Sequence, residues 1–129
     1  MKTILVDAVE CFVSDDGKIF EEMRGLLDTY PNKKIILTGA LYEKFKTFSL
    51  DQVPYEVFTL QHSPEKTDSS YYKKMLSHFN LTSKEVVYFE HNTEAVKSAQ
   101  SVGINTYLYD DSKKDIVSLK KFLDSSLKA

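Results

Sequence analysis

Short apolar runs alternate along the chain with longer segments in which apolar residues repeat at helical spacing. The five runs cover residues 3–6, 34–37, 55–60, 86–89 and 105–109. Such alternation is typical of parallel strands whose connecting helices cover both faces of one sheet. The runs at 3–6 and 86–89 are apolar throughout, which indicates strands buried on both faces. The pattern predicts an α/β fold, a three-layer sandwich around a five-stranded parallel sheet.

The connecting segments predict five helices and one small hairpin. Helical spacing covers residues 20–30, 41–48, 69–79, 93–102 and 112–127. Asp68 is a natural N-cap for the third helix, and Ser112 with Asp115 resembles a capping box for the last. Asp16-Gly17 supplies the turn chemistry of a hairpin flap at about 12–20.

Composition and charge narrow the class of protein. With 129 residues, of which 42% are hydrophobic, the chain is expected to form a single domain, 1–129. This composition excludes intrinsic disorder. The net charge of −2, with both signs interspersed, argues against nucleic-acid and anionic-membrane partners. The single cysteine, Cys11, excludes an internal disulfide and is interpreted as a packing residue. With no apolar leader and no stretch of ~18 apolar residues, we expect a cytoplasmic protein.

Polar side chains follow the predicted strands at the points where they end. Asp7, Thr38, Lys66 and the pair Glu90-His91 all occupy such positions. Because the carboxyl ends of parallel strands share one edge of the sheet, these groups are expected to meet there. A carboxylate can attack phosphorus while a hydroxyl and a cation hold the phosphoryl oxygens. The set therefore indicates phosphoryl transfer, provided that Asp7 and Lys66 lie within about 10 Å, a generous limit for groups that must work together.

Two segments carry a family resemblance. Residues 66–72 resemble the Lys-Pro-Asp segment of the haloacid dehalogenase-like (HAD) superfamily, and residues 86–103 resemble its segment of strand, acidic pair and helix. The resemblance runs from Ile4 to about Asp111 and implies a Rossmann-like core. It also implies roles for individual residues: Asp7 as nucleophile, Thr38, Gly39 and Lys66 at the phosphate, and Asp7, Glu90 and the carbonyl of Val9 at a Mg²⁺ ion.

Two positions depart from the family pattern. Val9 replaces the second Asp that protonates the leaving group, a role worth ~10²–10⁴-fold in rate. Glu10 could serve instead only if the backbone bends there, because neighbouring residues of a strand face opposite sides. His91 replaces the second acid of the pair, and since Mg²⁺ prefers oxygen ligands, the ion is expected to be held weakly or not at all. His91 is also a candidate acid or base.

No segment is long enough for a cap domain, so an open site is expected. An open site favours a large phosphorylated ligand, a protein partner that covers it, or no turnover. Two functions remain: slow hydrolysis of phosphomonoesters or acyl phosphates, and a catalytically inactive HAD-like binding or regulatory module. Halide removal ranks third, because it needs an enclosed apolar pocket. A phosphoacceptor receiver domain is the rival fold, but it requires an Asp where this chain has Phe58-Thr59-Leu60.

Overall fold

A sheet of five parallel strands forms the centre of the fold. A computed structural model describes residues 1–128. The strands are β1 (Thr3–Asp7), β2 (Lys34–Thr38), β3 (Glu56–Thr59), β4 (Val86–Glu90) and β5 (Asn105–Leu108). They lie in the order β3-β2-β1-β4-β5, so the ends of β1 and β4 are side by side. The chain builds outward from β1 to β3 and then restarts on the other side of β1, so the reversal that marks ligand sites in such sheets falls between β1 and β4.

Four α-helices cover the two faces of the sheet. They are α1 (Glu21–Asp28), α2 (Ser69–Phe79), α3 (Thr93–Ser101) and α4 (Ile116–Ser126). Helices α1 and α4 pack in one core with Ile4 and Val6, and α2 and α3 pack in a second core with Leu5. This alternation along β1 confirms the predicted three-layer α/β sandwich. None of the helices in residues 1–128 is long and apolar enough to cross a membrane.

The helix predicted at 41–48 is wrong. The segment contains one 3₁₀ turn, Tyr42–Lys44, and continues as irregular turns to Leu50, whose side chain is buried. Leu41 precedes that turn and provides no side-chain cap. Because the first helical turn is costly to form, a short uncapped segment does not propagate into an α-helix even when its apolar spacing fits.

The side chains of Asp68 and Asp115 cap the starts of α2 and α4. Asp68 accepts a hydrogen bond from the backbone of Ser70, which confirms the predicted N-cap of α2. The capping box predicted at Ser112 is wrong, because Asp115 is itself the N-cap of α4 and accepts from the backbone N–H of Ser118. Lys114 has a φ of 50°, outside the helical region, so the helix cannot begin before it.

Candidate active site

Three charged side chains from distant parts of the chain meet at the switch point of the sheet. Asp7 ends β1, Glu90 ends β4, and Lys66 lies in the loop that precedes α2. The Lys66 Nζ atom is 2.5 Å from Asp7 Oδ1 and 2.7 Å from Glu90 Oε1. The separation of Asp7 and Lys66 is therefore far below the limit of about 10 Å set from the sequence.

Lys66 is a largely buried cation held between two carboxylates. Only 15% of its side chain is exposed, and Nζ also donates to the carbonyl of Leu37 at 3.3 Å. Burial by itself would lower the pKa of Lys66, but the charges of Asp7 and Glu90 outweigh burial and hold that pKa well above its ordinary value. Lys66 therefore stays protonated and faces the cavity described below.

Glu90 is fully buried and its two oxygens accept four hydrogen bonds. Oε1 accepts from Lys66 and from the Tyr88 hydroxyl at 2.6 Å, and Oε2 accepts from the backbone N–H groups of His91 at 3.0 Å and Asn92 at 3.1 Å. Burial would raise the pKa of Glu90, but the charge of Lys66, followed by hydrogen bonding with the side chains of His91, Asp7 and Lys66, holds that pKa well below its usual range. Glu90 is thus an ionised counter-charge that fixes Lys66 and the entry to α3.

His91 contacts both carboxylates and approaches the Asp7 oxygen that Lys66 does not contact. Its Nδ1 donates to Asp7 Oδ2 and lies 3.1 Å from Glu90 Oε2. Hydrogen bonds to Asp7 and then to Glu90 raise the pKa of His91 to about 10, so the ring is an imidazolium at neutral pH. Burial, together with the nearby charge of Glu90, raises the pKa of Asp7. Two cations therefore balance two carboxylates.

The His91 cation makes folding stability depend on pH. The folded pKa of about 10 exceeds the ordinary value of 6.5, so the stabilisation is complete below pH 6.5 and is lost as pH rises through the folded pKa. We expect a loss of roughly 2–4 kcal/mol in the free energy of unfolding over that window. Urea unfolding at several pH values checks this. His91→Gln should flatten the slope, whereas His62→Gln, at an exposed position, should keep it; equal slopes in all three proteins would contradict the prediction.

A cavity of about 490 Å³ opens at this edge of the sheet, a size typical of small-molecule sites. The Thr38 hydroxyl accepts from the backbone N–H of Ala40 at 3.1 Å, which leaves its own O–H to donate to a ligand. The residues predicted for catalysis, for phosphate and for the metal line this cavity, together with the candidate acid or base His91: Asp7, Val9, Thr38, Gly39, Lys66, Glu90 and His91.

The structure separates Glu10 from this cavity. The backbone does bend there, with a φ of 78°, but Glu10 lines a second cavity of about 260 Å³ together with Lys18 and Lys114. Val9, in contrast, lines the main cavity beside Asp7. Val9 therefore presents an apolar residue to the main cavity, whereas Glu10 lines the second cavity.

Sequence reasoning missed three contributors to the site. Cys11 donates through Sγ to Asp7 Oδ2 at 3.2 Å, although it was interpreted as packing. Tyr88 could have been found, because it precedes Glu90 by two residues and so lies on the same face of β4. Residues 41–48 form one wall of the cavity, including Leu41 and Phe48.

The donor set around Asp7 fits Mg²⁺ poorly. Mg²⁺ takes oxygen ligands in near-ideal octahedral geometry. Both Glu90 oxygens already accept two donors each, and the side-chain atoms that meet Asp7 Oδ2 are the His91 nitrogen and the Cys11 sulfur. Nitrogen and sulfur suit softer cations than Mg²⁺.

Comparison with known proteins finds similarity in structure alone. No family model and no curated protein sequence matches the chain. An uncharacterized protein from Corynebacterium glutamicum is similar, with a TM-score of 0.65 and 13% identity over 96% of each chain. A HAD-superfamily hydrolase of subfamily IA from Geobacter sulfurreducens has a TM-score of 0.64 and 13% identity over 92% of this chain and 99% of its own.

A third similar structure is the core domain of a candidate phosphoglycolate phosphatase from Streptococcus pneumoniae. It has a TM-score of 0.63 and 15% identity over 96% of each chain. At such low identity the likeness concerns the fold, and it extends over nearly the whole chain. The resemblance inferred from residues 66–72 and 86–103 is thereby confirmed at the level of fold: residues 1–128 adopt the HAD-like fold, a Rossmann-like five-stranded core with no cap domain within them.

Proposed function

We propose that the protein is a slow phosphohydrolase that transfers the phosphoryl group of a phosphomonoester or acyl phosphate to Asp7 and then to water. The observation that carries this proposal is the contact of Lys66 with both Asp7 and Glu90 at the edge of a ligand-sized cavity. Two proteins of similar structure are described as a hydrolase and a candidate phosphatase, which also supports it.

In the first step, an oxygen of the Asp7 carboxylate attacks phosphorus and forms an aspartyl phosphate. The bond between phosphorus and the leaving-group oxygen breaks, and that oxygen departs with the electron pair. Lys66, Thr38 and Gly39 line the cavity. In this proposal the Lys66 ammonium, the Thr38 hydroxyl and the Gly39 backbone N–H stabilise charge on the phosphoryl oxygens. Because burial raises the pKa of Asp7, the reactive fraction should increase as pH rises above the ordinary carboxyl range.

The apolar Val9 determines which leaving groups can depart. With no acid to protonate it, the leaving oxygen must carry its own negative charge. A carboxylate or a phenolate does this readily, whereas an alkoxide does not. We therefore expect turnover of acyl and aryl phosphates, and alkyl phosphates slower by ~10²–10⁴-fold than a positioned acid would allow.

In the second step, water attacks the aspartyl phosphate, the bond between phosphorus and the Asp7 oxygen breaks, and inorganic phosphate leaves. A general acid that protonates the leaving oxygen in the first step would act as the base that takes a proton from water in the second step. Val9 cannot do this. Hydrolysis of the intermediate is therefore expected to be slow. Product from an aryl phosphate should appear in an initial burst of one equivalent per chain, the signature of an accumulating covalent intermediate.

Restoring an acid at position 9 tests the proposal. Val9→Asp should increase turnover of alkyl phosphates by about 10²-fold, the lower end of the range for a positioned acid, and should shorten the burst. Val9→Asn is the matched control, because it has the same shape and cannot donate a proton from a carboxyl group. Phosphate release over a series of aryl and alkyl phosphates measures both. Equal gains from Asp and Asn, or equal rates for aryl and alkyl phosphates in the parent protein, would count against the proposal.

The second candidate is a catalytically inactive HAD-like binding or regulatory module. It is favoured by the hydrogen bonds that both oxygens of Asp7 already accept, from Lys66 on one side and from His91 and Cys11 on the other. Such a module would bind a phosphorylated ligand, or a protein partner that covers the open cavity. Phosphate that raises the melting temperature with no turnover of acetyl or aryl phosphate would favour this candidate.

The remaining expectations concern the ion and the compartment. Asp7, Glu90 and the carbonyl of Val9 are the predicted Mg²⁺ ligands, and the poor fit described above supports a Mg²⁺ that is held weakly or is absent. A cytoplasmic location would keep the Cys11 thiol reduced. Acetyl phosphate hydrolysis with and without Mg²⁺ tests the first expectation, because a weakly held ion should change the rate little at millimolar concentration.

A further inference from the structure

The Cys11 thiol belongs to the Asp7 site. Its Sγ lies 3.2 Å from Asp7 Oδ2, and the residue is only 1% exposed. It reaches this position because the chain turns tightly after β1: the carbonyl of Ala8 accepts from the backbone N–H groups of Cys11, Phe12 and Val13. The turn folds the thiol back towards the end of its own strand.

Three different ligand types converge on one point. The Asp7 carboxylate, the His91 imidazole and the Cys11 thiol each present a ligand atom, and these atoms all lie within 4.8 Å of one another. Bonds of ~2.0–2.3 Å to a tetrahedral ion place ligand atoms roughly 3–4 Å apart. A single ion can therefore bind all three after small side-chain movements.

We propose that Asp7, Cys11 and His91 form a site for a borderline divalent transition-metal ion of the Zn²⁺ or Co²⁺ class, in place of Mg²⁺. Imidazole and thiolate are the ligands that such ions prefer, whereas Mg²⁺ prefers oxygen. Three protein ligands leave a fourth position open to water or an anion. Asp7 and His91 both line the cavity, so an ion can enter from it.

The surrounding charges favour a cation at this point. Asp7 and Glu90 are both buried carboxylates, and the Lys66 ammonium contacts both of them. A bound dication adds positive charge beside Asp7, and the imidazole and the thiol bind it in their deprotonated forms, so binding releases protons. Glu90 remains the partner of Lys66.

Cobalt binding provides the test, with a readout that does not depend on turnover. The full chain, reduced and freed of metal with a chelator, is titrated with Co²⁺ and followed by absorption. A thiolate ligand gives a charge-transfer band in the near ultraviolet, and intense visible bands indicate four ligands. We expect one ion per chain, displaced by Zn²⁺ and not by excess Mg²⁺. Cys11→Ser should abolish the charge-transfer band.

Two further variants make the result decisive. His91→Gln should weaken Co²⁺ binding by at least ~10-fold. Loss of a residue that only hydrogen-bonds to a ligand already lowers metal affinity by ~10–100-fold, and loss of a ligand should cost no less. His62→Gln is the control: His62 pairs with Glu65 at 2.9 Å on the exposed rim, where an ion could bind incidentally, and its loss should leave the spectrum unchanged. Circular dichroism shows whether each variant is folded, and Cys11→Ala replaces Cys11→Ser if the latter is not.

Several outcomes would overturn the inference. These are a Co²⁺ spectrum with no thiolate band, a band that survives in folded Cys11→Ser or Cys11→Ala protein, a signal lost in His62→Gln, or displacement of Co²⁺ by Mg²⁺. The inference concerns the same cavity as the proposed function but does not require turnover. Metal binding without hydrolysis would refute the proposed phosphohydrolase and support the metal site. Hydrolysis without the thiolate band would support the phosphohydrolase and refute the metal site.

Discussion

Replacing Asp7 with asparagine is expected to abolish hydrolysis of acetyl phosphate and aryl phosphates. An amide cannot form an aspartyl phosphate, so the reaction loses its nucleophile. Removing the nucleophile from a covalent mechanism typically costs at least ~10⁴-fold in rate. Phosphate release under saturating substrate measures the effect, and mass spectrometry of the quenched parent protein should find a phosphoryl group at position 7 that the variant lacks.

The loss in Asp7→Asn should not come from unfolding. The amide has the shape of the carboxylate, and its oxygen can still accept from Lys66, which lies 2.5 Å from Asp7 Oδ1. The matched control is Asp51→Asn, the same change at an exposed position far along the chain, and it should keep full activity. A folded Asp7→Asn protein that hydrolyses acetyl phosphate at the parent rate would exclude Asp7 as the nucleophile.

The positions of Asp7 and Glu90 could be predicted because burial leaves a strong mark on the sequence. Both end strands that are buried on both faces, and a continuous apolar run that stops at a carboxylate shows where such a strand ends. Parallel pairing then brings the two ends together without further information. Lys66 was assigned to the same edge because it follows the third predicted strand, 55–60.

The turn after β1 could not be predicted. Glu10 adopts a φ of 78°, a left-handed conformation that favours glycine, and nothing in Val9-Glu10-Cys11 indicates it. That turn sends Glu10 to the second cavity and brings Cys11 to Asp7, so a local conformation decides which side chains share the site. The wall formed by residues 41–48 was misread because apolar spacing alone does not distinguish a helix from turns that bury the same side chains.

Lys66→Met is expected to lower the free energy of unfolding by ~3–5 kcal/mol, the usual cost of removing one partner from a buried ion pair. Methionine fills a similar volume, so the loss would report charge and not packing. Asp7 is 2% exposed and Glu90 is fully buried, and without Lys66 only the His91 cation would offset the repulsion between the two carboxylates. Urea unfolding at neutral pH measures the difference. Lys73→Met, on the exposed side of α2, is the control and should change stability by less than ~0.5 kcal/mol.

The pH dependence and a double variant separate charge repulsion from other causes of the Lys66→Met loss. Without the cation, the folded pKa values of Asp7 and Glu90 should lie above their unfolded values, so protonation would stabilise the folded state and the deficit would shrink as pH falls towards 4. Combining Lys66→Met with Asp7→Asn removes one of the two repelling charges and should recover part of the stability, a positive coupling between contacting groups. If the deficit is constant with pH and the two substitutions are additive, Lys66 stabilises the fold by packing and not by its charge.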